Sequence, residues 1–159
     1  AKVQIDAVDI EEIKQKARQS PRRTARFCAH SNINESIHEM LIVHQKSFYV
    51  RPHKHENKTI SFHIIEGEAD IILFHDDGTI DQVITMGDKA SGRKFFYRLT
   101  SSPYYTKIIH SDMLVFHETI SGPFRIEETM LAPWSPKETD INAVSNYMAL
   151  LSSHTKNHE

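Results

Sequence analysis

The chain has one cysteine, Cys28, in 159 residues. No intrachain disulfide can form, and the composition fits a reducing compartment. No apolar run approaches the roughly 18 residues of a membrane-spanning helix. The opening Ala1-Lys2-Val3-Gln4-Ile5-Asp6 lacks the apolar centre of a secretory leader, so a cytoplasmic location is expected. The net charge of −2 supplies no global basic field and argues against a nucleic-acid partner. Several catalytic signatures are also missing. There is no Gly-rich phosphate loop, no Gly-x-Ser-x-Gly elbow, no Cys-x-x-Cys pair and no His-Glu-x-x-His helix. These absences argue against nucleotide hydrolysis, serine esterase chemistry, dithiol redox chemistry and thermolysin-like proteolysis. Neither an internal repeat nor a long linker divides the chain, and its length suits one core.

What the chain does have is histidine, 11 residues dispersed rather than clustered as a tag. It also has a long series of short apolar runs. A first helix is expected from Asp9, with Ile10, Ile13 and Ala17 at helical spacing, ending near Gln19 because Pro21 disfavours a helical Ser20. From residue 37 the pattern turns to strands: Ile37–Val43, Phe48–Val50, Phe62–Ile65, Ala69–Phe74, Thr79–Met86, Phe95–Leu99, Tyr104–Ile109, Met113–Thr119 and Arg125–Leu131. Glu66-Gly67-Glu68 and Asp76-Asp77-Gly78 read as hairpin turns. The natural architecture is an all-β barrel or sandwich. Thr139 or Asp140 then caps a last helix carrying Ile141, Val144, Met148 and Leu151, with a polar, frayed tail from Ser152 to Glu159.

The most specific local signal is Arg51-Pro52-His53-Lys54-His55. Two histidines at i and i+2 on an extended segment share a face, and neutral imidazole is the commonest metal-binding side chain. Alternation supplies further orientations. If Ile60, Phe62 and Ile64 face inward, His63 faces out. If Leu114 and Phe116 face inward, so does Glu118, and His117 faces out. Glu118 is then a candidate base or ligand, or a structural carboxylate. His38 and Glu39, about fifteen residues before the pair, are expected on an adjacent strand. Arg22, Arg23 and Arg26 read as a solvated basic segment or as an anion clamp. Cys28 reads as a small core residue rather than a reactive thiol.

Arg51-Pro52-His53-Lys54-His55 and Ile64-Ile65-Glu66-Gly67-Glu68 resemble the two ends of the first cupin motif. Together with Arg26-Phe27-Cys28-Ala29-His30, Leu73-Phe74-His75-Asp76-Asp77-Gly78, Val115-Phe116-His117-Glu118-Thr119, Gly122-Pro123-Phe124 and Leu131-Ala132-Pro133-Trp134-Ser135-Pro136, they resemble the WbuC-type cupin proteins over roughly residues 20–138. The resemblance implies a single cupin barrel, a double-stranded β-helix or jelly roll, with short helices at both ends. The expected division is a helical extension over 1–20, the barrel over 21–138, and a helix and tail over 139–159, all in one domain. It also implies a setting in bacterial surface-polysaccharide (O-antigen) synthesis and a metal held by His53 and His55.

Two of the four ligands in the cupin pattern are replaced, by Ile60 and Tyr105. Isoleucine cannot bind a metal, and a phenol with a pKa near ~10 is a poor ligand at neutral pH. Three alternatives stay open: a degenerate site; a weakly held Zn, Mn, Fe or Ni with Tyr105, His63 or His117 as substitute ligand; or a ligand a residue or two away.

The expected function is binding of a small sugar or sugar nucleotide. Tyr105 and Glu118 would be the catalytic groups of a metal-assisted isomerase or epimerase, with Arg51, Tyr97 and Tyr104 contacting the ligand. The alternatives are a non-catalytic binding module and a metal-dependent dioxygenase. A homodimer is expected, with His63, Phe48 and Tyr49 facing outward at its interface.

Overall fold

The computed structural model describes residues 1–156. The chain begins with helix α1, Ala7–Gln19. Its cap is Asp6 rather than Asp9: the amides of Val8 and Asp9 donate to the Asp6 carboxylate. Asp9 closes the capping box by accepting from the Asp6 amide at 2.8 Å. The capping pattern was therefore present, one turn of register earlier. The helix stops at Gln19, with Ser20 extended before Pro21.

Ten strands follow. They are β1 (Thr24–Cys28), β2 (Ile37–Gln45), β3 (His53–His55), β4 (Thr59–Glu66), β5 (Glu68–Phe74), β6 (Ile80–Gly87), β7 (Phe96–Thr100), β8 (Tyr104–Ile109), β9 (Met113–Ser121) and β10 (Thr129–Leu131). They form two five-stranded sheets, β1-β2-β9-β4-β7 and β10-β3-β8-β5-β6, with antiparallel pairing throughout. This is the expected all-β jelly-roll barrel.

Two expected strands differ. Phe48–Val50 is not a strand, because this segment crosses from one sheet to the other. Phe48 turns inward to stack on His44 at 4.2 Å between ring centroids, and the Tyr49 hydroxyl donates to the Pro136 carbonyl at 3.0 Å. Both side chains are half-buried and line a surface depression with Arg22 and Arg23. Arg125–Leu131 divides into a 3-10 turn, Ile126–Glu128, and the short β10.

Alternation sorts each sheet into two faces. The inner faces supply the main core, including Ile42, Ile60, Phe62, Ile64, Ile71, Leu73, Ile84, Met86, Tyr105, Leu114 and Phe116. The outer face of the first sheet carries Val43 and Val115, covered by Ile13 and Ala17 of α1. Gln45 Nε2 ties this helix down by donating to the Ala17 carbonyl at 2.6 Å. Burying an aliphatic side chain such as Ile13 stabilises the fold by about 1.5–3 kcal/mol.

The outer face of the second sheet carries Ile72, Phe74, Tyr104 and Ile108. These pack with Ala132, Trp134 and the last helix α2, Ile141–Lys156, through Tyr147 and Leu151. The amide of Ala143 donates to the Asp140 carboxylate, giving the expected cap. Ile141 is 78% exposed and does not join the packing face. The helix continues through Ser152–Lys156, where a frayed tail was expected; the rest of that tail, 157–159, lies outside the described residues.

Gly67, between β4 and β5, has φ +96°, and a Cβ there would collide with the Met113 carbonyl. That turn needs glycine for both reasons.

Candidate functional site

The interior of the barrel is apolar at one end and polar at the other. At the polar end a cavity of about 270 Å³ opens between the sheets. Arg26 and Cys28 of β1, Met40 of β2, His55 of β3, and Glu118 and Ile120 of β9 form its wall, with Lys58 and Arg125 at the rim. Register explains the grouping. Arg26 pairs with Ile42 and Cys28 with Met40, so both side chains point to the cavity side of the sheet; at its open edge both are exposed, and Cys28 is not the core residue expected of it. Arg22 and Arg23 do not point there: Arg23 bonds Ser47, and both line a separate surface depression against α2.

The cavity is rich in positive charge. Lys58 is compensated by Glu128 at 2.8 Å. Among the described residues no carboxylate stands within ion-pair distance of Arg26 or Arg125. Among the described residues the one side-chain bond of Arg26 is a weak one to Met40 Sδ at 3.8 Å. His38, 5% exposed, stacks on His30 at 4.1 Å between centroids and bonds the Ile33 carbonyl through Nε2. Both rings line the cavity.

The His53/His55 pair forms the adjoining wall. The two ring centroids are 5.0 Å apart, and His53 is 4.6 Å from the ring of Tyr105, its register partner on β8. His53 Nδ1 bonds the Arg51 carbonyl at 2.8 Å, which fixes the Nδ1–H tautomer and leaves Nε2 as the free donor atom. His55 Nδ1 lies 3.2 Å from the Thr129 hydroxyl. Burial, then the neighbouring His55, pushes the pKa of His53 down to about 3. Burial, then the charges of Lys107 and Lys58, pushes that of His55 down to about 4. Both rings are therefore neutral at pH 7, the form a metal needs.

The donor set nevertheless does not make a full metal site. Among the described residues no group of three His, Cys, Asp or Glu side chains could hold one ion. Ile60 is inward and 1% exposed, so the position is apolar as well as lacking a donor atom. Burial, reinforced by the Glu118 charge, raises the Tyr105 phenol well above its ordinary pKa, away from a metal-binding phenolate. His63 and His117 are register partners on the outer face. His117 pairs there with Glu39 at 3.5 Å, so neither can substitute inside. Catalytic zinc sites normally use three protein ligands; this wall offers two and a buried cation.

That cation is Lys107, which motif reasoning missed. It follows Tyr105 by two residues on β8, so it shares the inner face. It is 4% exposed, and its Nζ lies 4.1 Å from the Phe62 ring, 4.8 Å from Phe116 and 5.4 Å from Tyr105. Burial pushes its pKa down to about 8, against the opposing pull of Glu118. The carboxyl of Glu118 is raised by burial, although Lys107, Arg26 and His117 act to lower it. His44, also missed, is buried further along the interior; burial, then Lys107 and Arg26, holds it well below the usual imidazole range. The alternation that identified Glu118 would have found Lys107 on β8.

The remaining expected residues lie apart. Arg51 Nε donates to Ser135 Oγ at 3.0 Å, and its guanidinium faces Glu138 at 3.9 Å; it braces the segment leading to α2 rather than lining the cavity. Tyr104 faces outward, 5.8 Å from the Trp134 ring. Tyr97 packs against the core from β7, and burial raises its phenol pKa.

Comparison with known proteins follows this geometry. A family model described as "Domain of unknown function (DUF6016)" matches residues 5–86, just over half the chain. No curated protein matches. Among solved structures, protein SO0799 from Shewanella oneidensis superposes with a TM-score of 0.59 at 9% identity, over 76% of this chain and 82% of that one. The capsular polysaccharide assembling protein CapF from Staphylococcus aureus gives 0.55 at 12% identity, over 70% of this chain and 30% of CapF. The Bacillus subtilis oxalate decarboxylase, described with Mn(II) centres, gives 0.52 at 14%, over 68% of this chain and 27% of that one. The chain thus spans under a third of the latter two proteins. At these identities the likeness is one of fold, the cupin jelly roll.

Proposed function

We propose that this chain, which belongs to the family described as a domain of unknown function (DUF6016), uses its cupin barrel to bind a small anionic, hydroxyl-rich ligand without requiring a transition metal. The observation that carries this reading is the cavity itself: Arg26 and Arg125, without a carboxylate partner among the described residues, beside His55 and Glu118, with two metal-donor imidazoles on the adjoining wall. Guanidinium forks match phosphate and carboxylate oxygens, while the carboxyl and imidazoles suit sugar hydroxyls. A sugar phosphate, or the sugar end of a sugar nucleotide, has this chemistry. The WbuC-type resemblance and the fold shared with the capsular polysaccharide assembling protein support a place in surface-polysaccharide synthesis. The test is calorimetric titration of chelator-treated protein with glucose 1-phosphate, galactose 1-phosphate and UDP-glucose. Saturable binding that weakens in Arg26→Ala supports the reading; no binding by any of the three overturns it.

A second reading is catalytic. The raised carboxyl of Glu118 on the cavity wall is placed to move a proton next to a sugar carbonyl, as an isomerase or epimerase requires. Buried Tyr105, a neutral phenol, could only donate. Solvent-deuterium incorporation into a bound keto-sugar, abolished in Glu118→Gln, is the expected result. A homodimer is the proposed assembly, and sedimentation equilibrium checks it.

A further inference from the structure

We propose that two copies of this chain associate through the free edge of β7, as one continuous antiparallel sheet in which Phe96 of each copy lies against Arg98 of the other. The proposal rests on the homodimer proposed above, and it adds the surface and the register.

β7 ends the first sheet and pairs there with β4. In an antiparallel ladder the hydrogen-bonding groups of successive residues point to opposite sides. The Ile64 amide donates to the Phe95 carbonyl at 2.8 Å, so Phe95, Tyr97 and Leu99 bond β4. The N–H and C=O groups of Phe96 and Arg98 therefore point away from β4. Among the described residues they have no backbone partner. Such an edge is a template for another strand.

The other sheet edges are covered or short. β1, at the far end of the same sheet, sets Ala25 under α1. β10 has three residues. β6 sets Ile80 and Val83 against the cluster under α2. β7 has no proline and no bulge, and it presents aromatic rings instead: Phe96 is 55% exposed and Phe95 42%. On the outer face Phe96 is the register partner of His63, whose ring is 5.9 Å from that of Phe95. Burial of these rings supplies the driving force.

Two-fold symmetry and the ladder pattern leave three axes that keep Phe96 inside the contact. An axis at Phe96 sets Arg98 opposite Lys94 of the second copy, and an axis at Arg98 sets two guanidiniums face to face. Like charges directly opposite are destabilising. An axis at Tyr97 sets Phe96 opposite Arg98 of the second copy, twice. Each such pair exchanges two main-chain hydrogen bonds, and each guanidinium gains an aromatic ring. Among the described residues no carboxylate stands within ion-pair distance of Arg98, so its side chain is available for this contact.

The experiment is sedimentation velocity over a concentration series on the native chain, Arg98→Pro, Phe96→Glu and Phe96→Glu/Arg98→Glu. Proline at 98 removes the guanidinium and an N–H that faces solvent in the monomer, but no bond to β4; circular dichroism checks the fold. The expected result is a reversible native dimer, weakened about tenfold or more in Arg98→Pro. Phe96→Glu should keep the dimer, because the new carboxylate meets Arg98 of the second copy, and the double variant should lose it. Loss of the dimer in Phe96→Glu would overturn the register. A native dimer that persists undiminished in folded Arg98→Pro would overturn the surface and leave the homodimer reading standing. A native chain that stays monomeric at every concentration would overturn both.

Discussion

The two ends of the barrel are built from the same strands but to opposite specifications. Towards one end the inner faces are apolar apart from buried His44: Ala69, Ile71, Ile84, Met86 and Leu114 close on one another and are each no more than 5% exposed. Towards the other, the same alternation delivers Arg26, His55 and Glu118 to a cavity. On β9 the change takes one step of two residues, from Phe116 to Glu118. Stability and chemistry are thus separated along the barrel axis. The apolar half holds the sheets together, so the other half can carry groups that burial alone would expel.

The sharpest way to break this comparison is to delete the same kind of bulk at each end. Leu114→Ala, at a fully buried position, should cost about 2–5 kcal/mol. Ile120→Ala at the cavity should cost about 1 kcal/mol. Urea denaturation of both variants checks this, and equal losses would mean that the two ends are not different.

Lys107 lies at the boundary and should show a pH signature. The unfolded chain keeps its proton to about 10.5, the folded chain only to about 8. Between those values the unfolded state binds more protons, so native stability rises with pH. Lys107→Met removes this term. The variant should exceed the native chain by about 3 kcal/mol at pH 7, and the difference should close as pH approaches 10.5. Glu118 and Tyr105 face the same space, so the comparison is made against the variant rather than against an absolute curve. A difference constant from pH 7 to 10 would contradict the assignment.

The next test restores the missing donors. Purified Ile60→Glu/Tyr105→His should hold stoichiometric zinc by elemental analysis after dialysis, and the native chain should hold far less. Equal zinc in both would show that two imidazoles suffice. The smallest expected effect is that of Arg26→Ala. It should weaken phosphate-ligand binding by roughly tenfold, the value of one charge-assisted hydrogen bond, with little change in denaturation midpoint.

Much of this arrangement was legible in the sequence because strands have a strict period of two. That period placed Ile60, Phe62, Ile64 and Glu118 inside and His63 and His117 outside, and each side chain lies there. The hairpin at Gly67 was legible because its backbone demands glycine. What was not legible depends on crossings and long-range partners. Phe48-Tyr49-Val50 has the composition of a strand, but it spans the gap between sheets, where Phe48 fills the core end and Tyr49 bonds Pro136. Arg51 stands next to the histidine pair in sequence, yet Ser135 and Glu138, distant along the chain, draw it away. Lys107 was legible in principle, two residues from Tyr105. A lysine within Tyr104–Ile109 does not match any metal-ligand pattern, and its burial among aromatic rings follows only from the packing of β4 against β9.

The central claim is that the polar end of the barrel recognises an anionic ligand with its own cations rather than through a metal. The most direct measurement is calorimetric titration of glucose 1-phosphate into the native chain and into Arg26→Ala, each with EDTA and with added zinc or manganese. The account predicts the same affinity in the native chain under both conditions and a roughly tenfold loss in the variant. Binding that appears only when metal is supplied, and is indifferent to Arg26, would contradict it.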